Sequence, residues 1–168
     1  MLPKMIDLRR SADQDIEYQT RMQASLLARL EEAVDELDEE ISVRIRLHKD
    51  EQGRLRVTGE AAVQAKLTCQ RCMQLSDHLL ETEIDLVAVY SEEQAKALPK
   101  ELDAWVVEDS ANLHELIEDE LLLAMPIVAY HPEEECSAAG SFQSGEPVET
   151  VERQSPFAVL KDLASSSD

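Results

Sequence analysis

A long stretch of alternating apolar and polar residues is the strongest constraint on the fold of this chain. The alternation begins at Val43 and ends near Ala88, and turn residues interrupt it at 50–53. A two-residue period is typical of strands that bury one face against a core. The alternating runs, which predict three antiparallel strands, are 43–47, 55–69 and 80–88.

Two helices are predicted beside these strands. Apolar residues recur at three- and four-residue steps over 22–34, which is the spacing of one helix face. A second helix is expected after Asn112, an N-cap residue with Glu115 three positions later, and Pro126 marks its end. The sequence therefore predicts an α+β fold: an antiparallel sheet of about four to five strands with two helices and a disordered acidic C-terminal tail.

Three segments are predicted along the chain. Residues 1–14 are polar and are expected to form a flexible N-terminus, and residues 15–136 are expected to form a single α+β domain. Residues 137–168 are rich in Glu, Ser, Gly and Pro, a composition that favours disorder. This mostly disordered acidic tail carries one short apolar patch, at 156–160.

The net charge limits the partners that this chain can bind. The chain has 36 acidic and 16 basic residues, a formal charge of −20, and beyond position 100 its basic residues are Arg153 and Lys161. Such a charge repels a phosphate backbone at long range. No apolar run approaches the roughly 18 residues of a membrane helix, and no secretory leader is recognisable. The odd number of cysteines indicates reduced thiols, so we expect a cytoplasmic protein without a membrane partner.

No catalytic pattern stands out in the sequence. There is no Ser/His/Asp order, no glycine-rich phosphate loop and no H-E-x-x-H motif, and the chain has four glycines in all. The carboxylates at 118–120 would not converge on one ion, because neighbouring helix positions point about 100° apart. They and His114 are expected on a solvated surface. We expect neither enzymatic activity nor a small-molecule substrate.

A C-x-x-C motif, Cys69 to Cys72, is predicted at the tip of the hairpin between the second and third alternating runs. With Cys136 and His131, which both follow the second helix, it would complete a Cys3His set for one structural zinc. His78 is another candidate for the fourth ligand. A redox pair is the second interpretation, but the motif precedes a strand and not the helix that such pairs use. Packed thiols without metal are the third.

Four arginines form the second candidate site. Arg44 and Arg46 share one face of their predicted strand, and Arg54 and Arg56 share a face of the next, beyond the turn at 50–53. Guanidinium groups in this arrangement can bind phosphates of RNA or an acidic protein surface. The alternative is a solvated face that is balanced by the many acids of the chain itself.

Several segments together resemble the YceD family of large ribosomal RNA subunit accumulation proteins. They include the C-x-R-C hairpin, a helix that ends in proline and is followed by His131 and Cys136, and a terminal motif with Ser155 in place of asparagine. The matching segments are 67–72, 92–99, 119–126 and 155–160.

The resemblance implies a non-enzymatic factor that supports the synthesis, processing or stability of large-subunit (23S) ribosomal RNA. Its partner would be pre-ribosomal large-subunit RNA or a basic ribosomal protein. In the alternative, the chain would be an acidic adaptor or holding chaperone for the basic ribosomal protein, without direct contact to RNA.

Overall fold

The computed structural model describes residues 1–108 and 110–138. The described chain forms a compact unit, Met1–Ser137, and strands and helices both contribute to it, so the predicted α+β class is confirmed. The predicted tail beyond residue 138, with its apolar patch at 156–160, lies outside the described residues.

The described residues contain eight strands and four α-helices. The strands are β1 Met5–Ile6, β2 Ile16–Gln23, β3 Glu36–Leu37, β4 Glu40–Lys49, β5 Leu55–Thr68, β6 Leu75–Val89, β7 Asp103–Val106 and β8 Ala111–Asn112. The helices are α1 Leu8–Asp13, α2 Ala28–Ala33, α3 Glu92–Ala97 and α4 Leu113–Leu123. A single 3-10 turn, Ala24–Leu26, separates β2 from α2.

The main sheet has six strands, in the order β2-β4-β5-β6-β7 with β3 also paired to β5. All pairs are antiparallel except the last, because β7 runs parallel to β6. The prediction of about four to five antiparallel strands and two helices is therefore wrong in its counts and in the orientation of this edge. No sequence pattern indicates β7, because this short strand is largely exposed and its side chains do not alternate in burial.

The core lies on the inner face of this sheet, as the alternation predicts. Ile41, Val43, Ile45 and Leu47 are all buried on β4, and α2 and α4 contribute to the same hydrophobic cluster. Helix α4 follows Asn112 as expected, since the Asn112 side chain accepts a hydrogen bond from the Glu115 backbone N–H. Burial of this one face leaves the outer face of the sheet polar.

The first predicted helix, at 22–34, is largely replaced by other structure. Strand β2 continues through Met22, which pairs with Ile41 of β4, and only the six residues of α2 are helical beyond the 3-10 turn. Pairing with β4 overrides the local helical spacing, as tertiary contacts often do.

The first 14 residues, for which a flexible N-terminus was predicted, contain β1 and α1 and pack against the core. Strand β1 pairs with β8, and the backbone N–H of Leu113 donates to the carbonyl oxygen of Lys4 at 2.9 Å. Leu2, Ile6 and Leu8 are buried in the core. Their spacing fits neither a helix nor a strand over more than a few residues, so the sequence pattern does not reveal this docking.

Candidate functional site

Three sulfur atoms and one imidazole converge at the tip of the β5–β6 hairpin. The ligand atoms of Cys69, Cys72, His131 and Cys136 all lie within 4.8 Å of one another. Cys69 directly follows β5, whereas His131 and Cys136 come from the segment after α4. The structure thus brings together the four residues that spacing had assigned to a zinc set.

The turn after β5 presents its two cysteines to the same side. The Cys69 N–H donates to the Gln74 carbonyl oxygen at 2.8 Å, and the Met73 N–H donates to the Cys69 carbonyl oxygen at 2.9 Å. Met73 has a φ of 59°, in the left-handed region that tight turns use. This local geometry keeps both sulfurs at the hairpin tip.

Three contacts that the sequence did not reveal hold the segment after α4 against this turn. The Gln70 N–H donates to the carbonyl oxygen of Ala129 at 2.9 Å. The Arg71 guanidinium lies 4.6 Å from the centre of the Tyr130 ring, within the range of a cation–π contact. The imidazole Nε2 of His131 lies 2.8 Å from the Leu75 carbonyl oxygen.

The hydrogen bond to Leu75 determines which nitrogen of His131 can bind a metal. A carbonyl oxygen only accepts, so Nε2 carries the proton and Nδ1 faces the thiols, 3.3 Å from the Cys72 sulfur. A second hydrogen bond of this kind is the usual way in which proteins orient a histidine ligand. The imidazole is therefore positioned to bind through Nδ1.

The surroundings also favour the thiolate form of the cysteines. Burial raises the pKa of the Cys69 thiol, but hydrogen bonds from the backbone N–H groups of Cys72, His131 and Arg71, together with the neighbouring His131 side chain, lower it to about 5. For Cys72, burial again raises the pKa, and the N–H of Gln74 contributes to a net lowering. Thiolate is the form that binds metals.

This donor set can hold a zinc ion in a closed tetrahedral site. Three sulfurs and one nitrogen are a common structural zinc set, and they leave no position open for a reacting water. His78, the other candidate for the fourth ligand, is not part of the group; it lies opposite Ala65 on the neighbouring strand. The redox interpretation lacks the helix that it needs, because strand β6 follows the motif.

The four predicted recognition arginines each bind a carboxylate of the same chain. Arg44 bonds to Glu17 at 2.7 Å and Arg46 to Asp15 at 2.6 Å. On the other strand, Arg54 bonds to Asp50 at 2.6 Å and Arg56 forms an ion pair with Asp85. The two arginine pairs do not face each other, since Arg44 is opposite Glu60 and Arg46 is opposite Thr58. Each of the four arginines is thus paired with an acid of the same chain.

Two residues that were expected on a solvated surface are buried, so that prediction is wrong for them. Glu118 is only 8% exposed, and its carboxylate accepts hydrogen bonds from the backbone N–H groups of Arg29 and Leu30. His114 is also 8% exposed, and its Nε2 lies 3.2 Å from the Leu2 carbonyl oxygen. Their partners are distant in sequence, so spacing along the helix could not identify them.

Among the described residues, no helix combines the length and apolar character that crossing a membrane requires.

Comparison with known proteins gives one consistent result. The profile of the family described as "Large ribosomal RNA subunit accumulation protein YceD" matches residues 57–164. A protein of that name from Haemophilus influenzae is 29% identical over 166 residues, which cover 96% of this chain and 95% of the relative. No solved structure matches.

Proposed function

Because this chain belongs to the YceD family of large ribosomal RNA subunit accumulation proteins, we propose that it is a non-enzymatic factor supporting the synthesis, processing or stability of 23S ribosomal RNA in the cytoplasm. The observation that carries the proposal is the near full-length match to the Haemophilus influenzae relative. The family name describes accumulation of an RNA and names no reaction.

The Cys3His group takes a structural role in this proposal. One zinc ion bound by Cys69, Cys72, Cys136 and His131 would join the β5–β6 hairpin to the segment after α4. Four protein ligands complete the coordination sphere of zinc, which supports a structural and not a catalytic ion. The ion would then hold the hairpin and this segment rigidly against each other.

Two kinds of partner fit the family name. In the first, Arg44, Arg46, Arg54 and Arg56 contact pre-ribosomal large-subunit RNA. In the second, the chain is an acidic adaptor or holding chaperone that binds a basic ribosomal protein. The ion pairs of all four arginines with carboxylates of the same chain favour the second, because a phosphate would have to displace a bound carboxylate at each position. The formal charge of −20 favours it as well.

Complementation in Haemophilus influenzae tests the proposed function. In cells from which the relative has been deleted, we expect a lowered ratio of 23S to 16S ribosomal RNA, and expression of this chain should restore it. Sedimentation of cell extracts should place the chain with large-subunit precursors. An unchanged ratio in the deletion strain, or no restoration by a well-expressed chain, would contradict the proposal.

The same cells separate the two partners. Replacing Arg44→Gln together with Arg46→Gln removes two guanidinium groups, and Lys96→Gln with Lys100→Gln is the charge-matched control on exposed lysines. Direct RNA contact through the arginines requires that only the first variant loses its sedimentation with the precursors. Binding to a basic protein requires that both variants keep it.

A further inference from the structure

The middle of the outer face of the main sheet is uncovered. Gln19, Arg44, Glu60 and Glu83 lie in one row across β2, β4, β5 and β6, and all four are exposed. Among their neighbours along the strands, Val43, Ile45, Ala61 and Ile84 are buried in the core. This part of the sheet therefore has one face in the core and one in solvent.

The uncovered face is concave. It encloses a groove of about 970 Å³, here called the outer-face groove and formed by residues 19–21, 42–44, 60–62 and 81–83. Two small residues, Ser42 and Ala62, lie side by side on β4 and β5, and they leave room between the longer side chains of Arg21 and Glu81. The groove crosses four strands and is open to solvent.

The carboxylates and the cations of this groove are separated. Arg44 lies opposite Glu60 but bonds to Glu17, and Arg21 bonds to Glu40. Within the part of the chain that the structure describes, no ion pair or side-chain hydrogen bond includes any of three exposed glutamates of the groove, Glu60, Glu81 and Glu83. Arg44 on β4 attracts Glu60 across the strand pair, but the β5–β6 half of the groove lining itself contains three carboxylates and no cation.

The placement of two of these glutamates costs stability. Glu60 and Glu83 are direct cross-strand partners, and like charges in that position are destabilising. A cationic group bound between them would remove this repulsion. The carboxylates do not form a metal site, because among the described residues the Cys/His cluster is the group with ligand atoms close enough for one ion.

We propose that the outer-face groove docks a lysine- and arginine-rich polypeptide segment, with its cationic side chains on Glu60, Glu81 and Glu83. An extended segment with basic residues at alternate positions matches Glu81 and Glu83, because strand side chains repeat on one face every second residue. A nucleic acid or a second copy of this chain would bring further negative charge to the groove. This inference rests on the proposed function. It assigns the surface to which the basic partner protein of that proposal would bind.

Binding of a fluorescent synthetic peptide of alternating lysine and serine tests the groove. The variant Glu60→Gln, Glu81→Gln, Glu83→Gln removes its three carboxylates and leaves every ion pair in place. The control variant Glu32→Gln, Glu51→Gln, Glu101→Gln has the same net charge, and its three sites are exposed and away from the groove. By fluorescence anisotropy we expect the groove variant to bind about tenfold more weakly than the control, which is the combined effect of three partly solvated ion pairs.

Equal weakening in the two variants would overturn the proposal, because the peptide would then respond only to net charge. Circular dichroism establishes that both variants are folded before binding is compared. An RNA hairpin serves as the second probe, and tighter binding of the hairpin than of the peptide to the groove would also overturn the proposal.

The link to the proposed function has a separate readout. In the Haemophilus influenzae deletion strain, the groove variant should fail to restore the 23S to 16S ratio, whereas the control variant should restore it. If the groove variant loses the peptide but restores the ratio, the groove binds basic segments and its connection to ribosomal RNA accumulation is overturned. If neither variant nor the wild-type chain restores the ratio, the proposed function itself fails.

Discussion

At the scale of single residues, Gly59 lies where two strands of the sheet approach each other closely. It lies on β5 opposite Ile45 of β4. A Cβ atom added there would lie 2.1 Å from the carbonyl oxygen of Arg44 and 2.8 Å from the Cα of Ile45. Both neighbours are backbone atoms, which cannot rotate away, so only a glycine fits at this position.

We predict that Gly59→Ala destabilises the fold by about 3 kcal/mol or more, because the strands must separate to admit the methyl group. Gly53→Ala is the control. Gly53 has a φ of +76° and open space around its Cα, so this change should cost only the roughly 1–2 kcal/mol of a left-handed alanine. Urea unfolding measures both. Equal costs for the two variants would show that β4 and β5 do not approach as closely as described.

The sequence predicted which residues form the Cys3His cluster better than it predicted the partners of the charged residues. Cys69 and Cys72 are close in the chain, and a hairpin turn alone brings their sulfurs together. The arginines were identified as outward-facing, but their partners could not be, because Arg46 and Asp15 are 31 positions apart. Only the register of β2 against β4 brings that pair into contact.

At the scale of whole elements, hydrophobic periodicity and helix-capping residues predicted the elements that extend over several helical turns or many strand residues. Strands β4 to β6 and helix α4 follow from their patterns. Helices α1, α2 and α3 have six residues each, which is too short for an apolar stripe to recur. Such elements depend on contacts from elsewhere in the fold, and the sequence of the element does not carry that information.

Helix α2 is the clearest example of such dependence. Its N-cap residue, Leu27, makes no side-chain hydrogen bond, and the carboxylate of Glu118 on α4 accepts from the N–H of Arg29 at 2.7 Å and of Leu30 at 3.3 Å. The same carboxylate accepts from Nε of Arg29 at 2.7 Å. A side chain of α4 thus supplies the cap that α2 lacks, and it adds a negative charge at the positive end of the helix.

We predict that Glu118→Ala lowers the free energy of unfolding by about 2 kcal/mol, the upper range for loss of a helix cap. Asp119→Asn provides the comparison, since Asp119 also pairs with Arg29 but is half exposed, and its loss should cost at most about 0.5 kcal/mol. Chemical denaturation of the two variants gives the difference. If Asp119→Asn costs as much as Glu118→Ala, the buried cap is not the important interaction.

At the scale of the whole molecule, the Cys3His cluster joins parts of the chain that are distant in sequence. The contact between Cys72 and His131 spans 59 positions. A zinc ion there would stabilise the folded state alone, since the ligands are dispersed in the unfolded chain. Its effect should therefore appear in the stability of the domain as a whole.

We predict one zinc ion per chain in reduced protein that has not been exposed to chelators. Cys136→Ser should lose it, and the melting temperature should fall by about 10 °C. A ligand at 1,000 times its Kd contributes about 4 kcal/mol, and each kcal/mol shifts a domain of this size by about 2–4 °C. Native mass spectrometry and calorimetry measure the two effects. His78→Gln is the control and should retain the metal. Absence of zinc from the wild-type chain would leave the cysteines as packed thiols.

The docking of the N-terminus has a consequence for synthesis of the chain. The buried contact between His114 and the Leu2 carbonyl oxygen spans 112 positions, and β1 pairs with β8. A nascent chain therefore cannot place Leu2, Ile6 and Leu8 in the core until α4 has left the ribosome. The pairing of β5 with β6 is local in sequence and can form earlier. During translation, the apolar side chains of these first residues therefore stay exposed until a helix near the end of the domain has been synthesised.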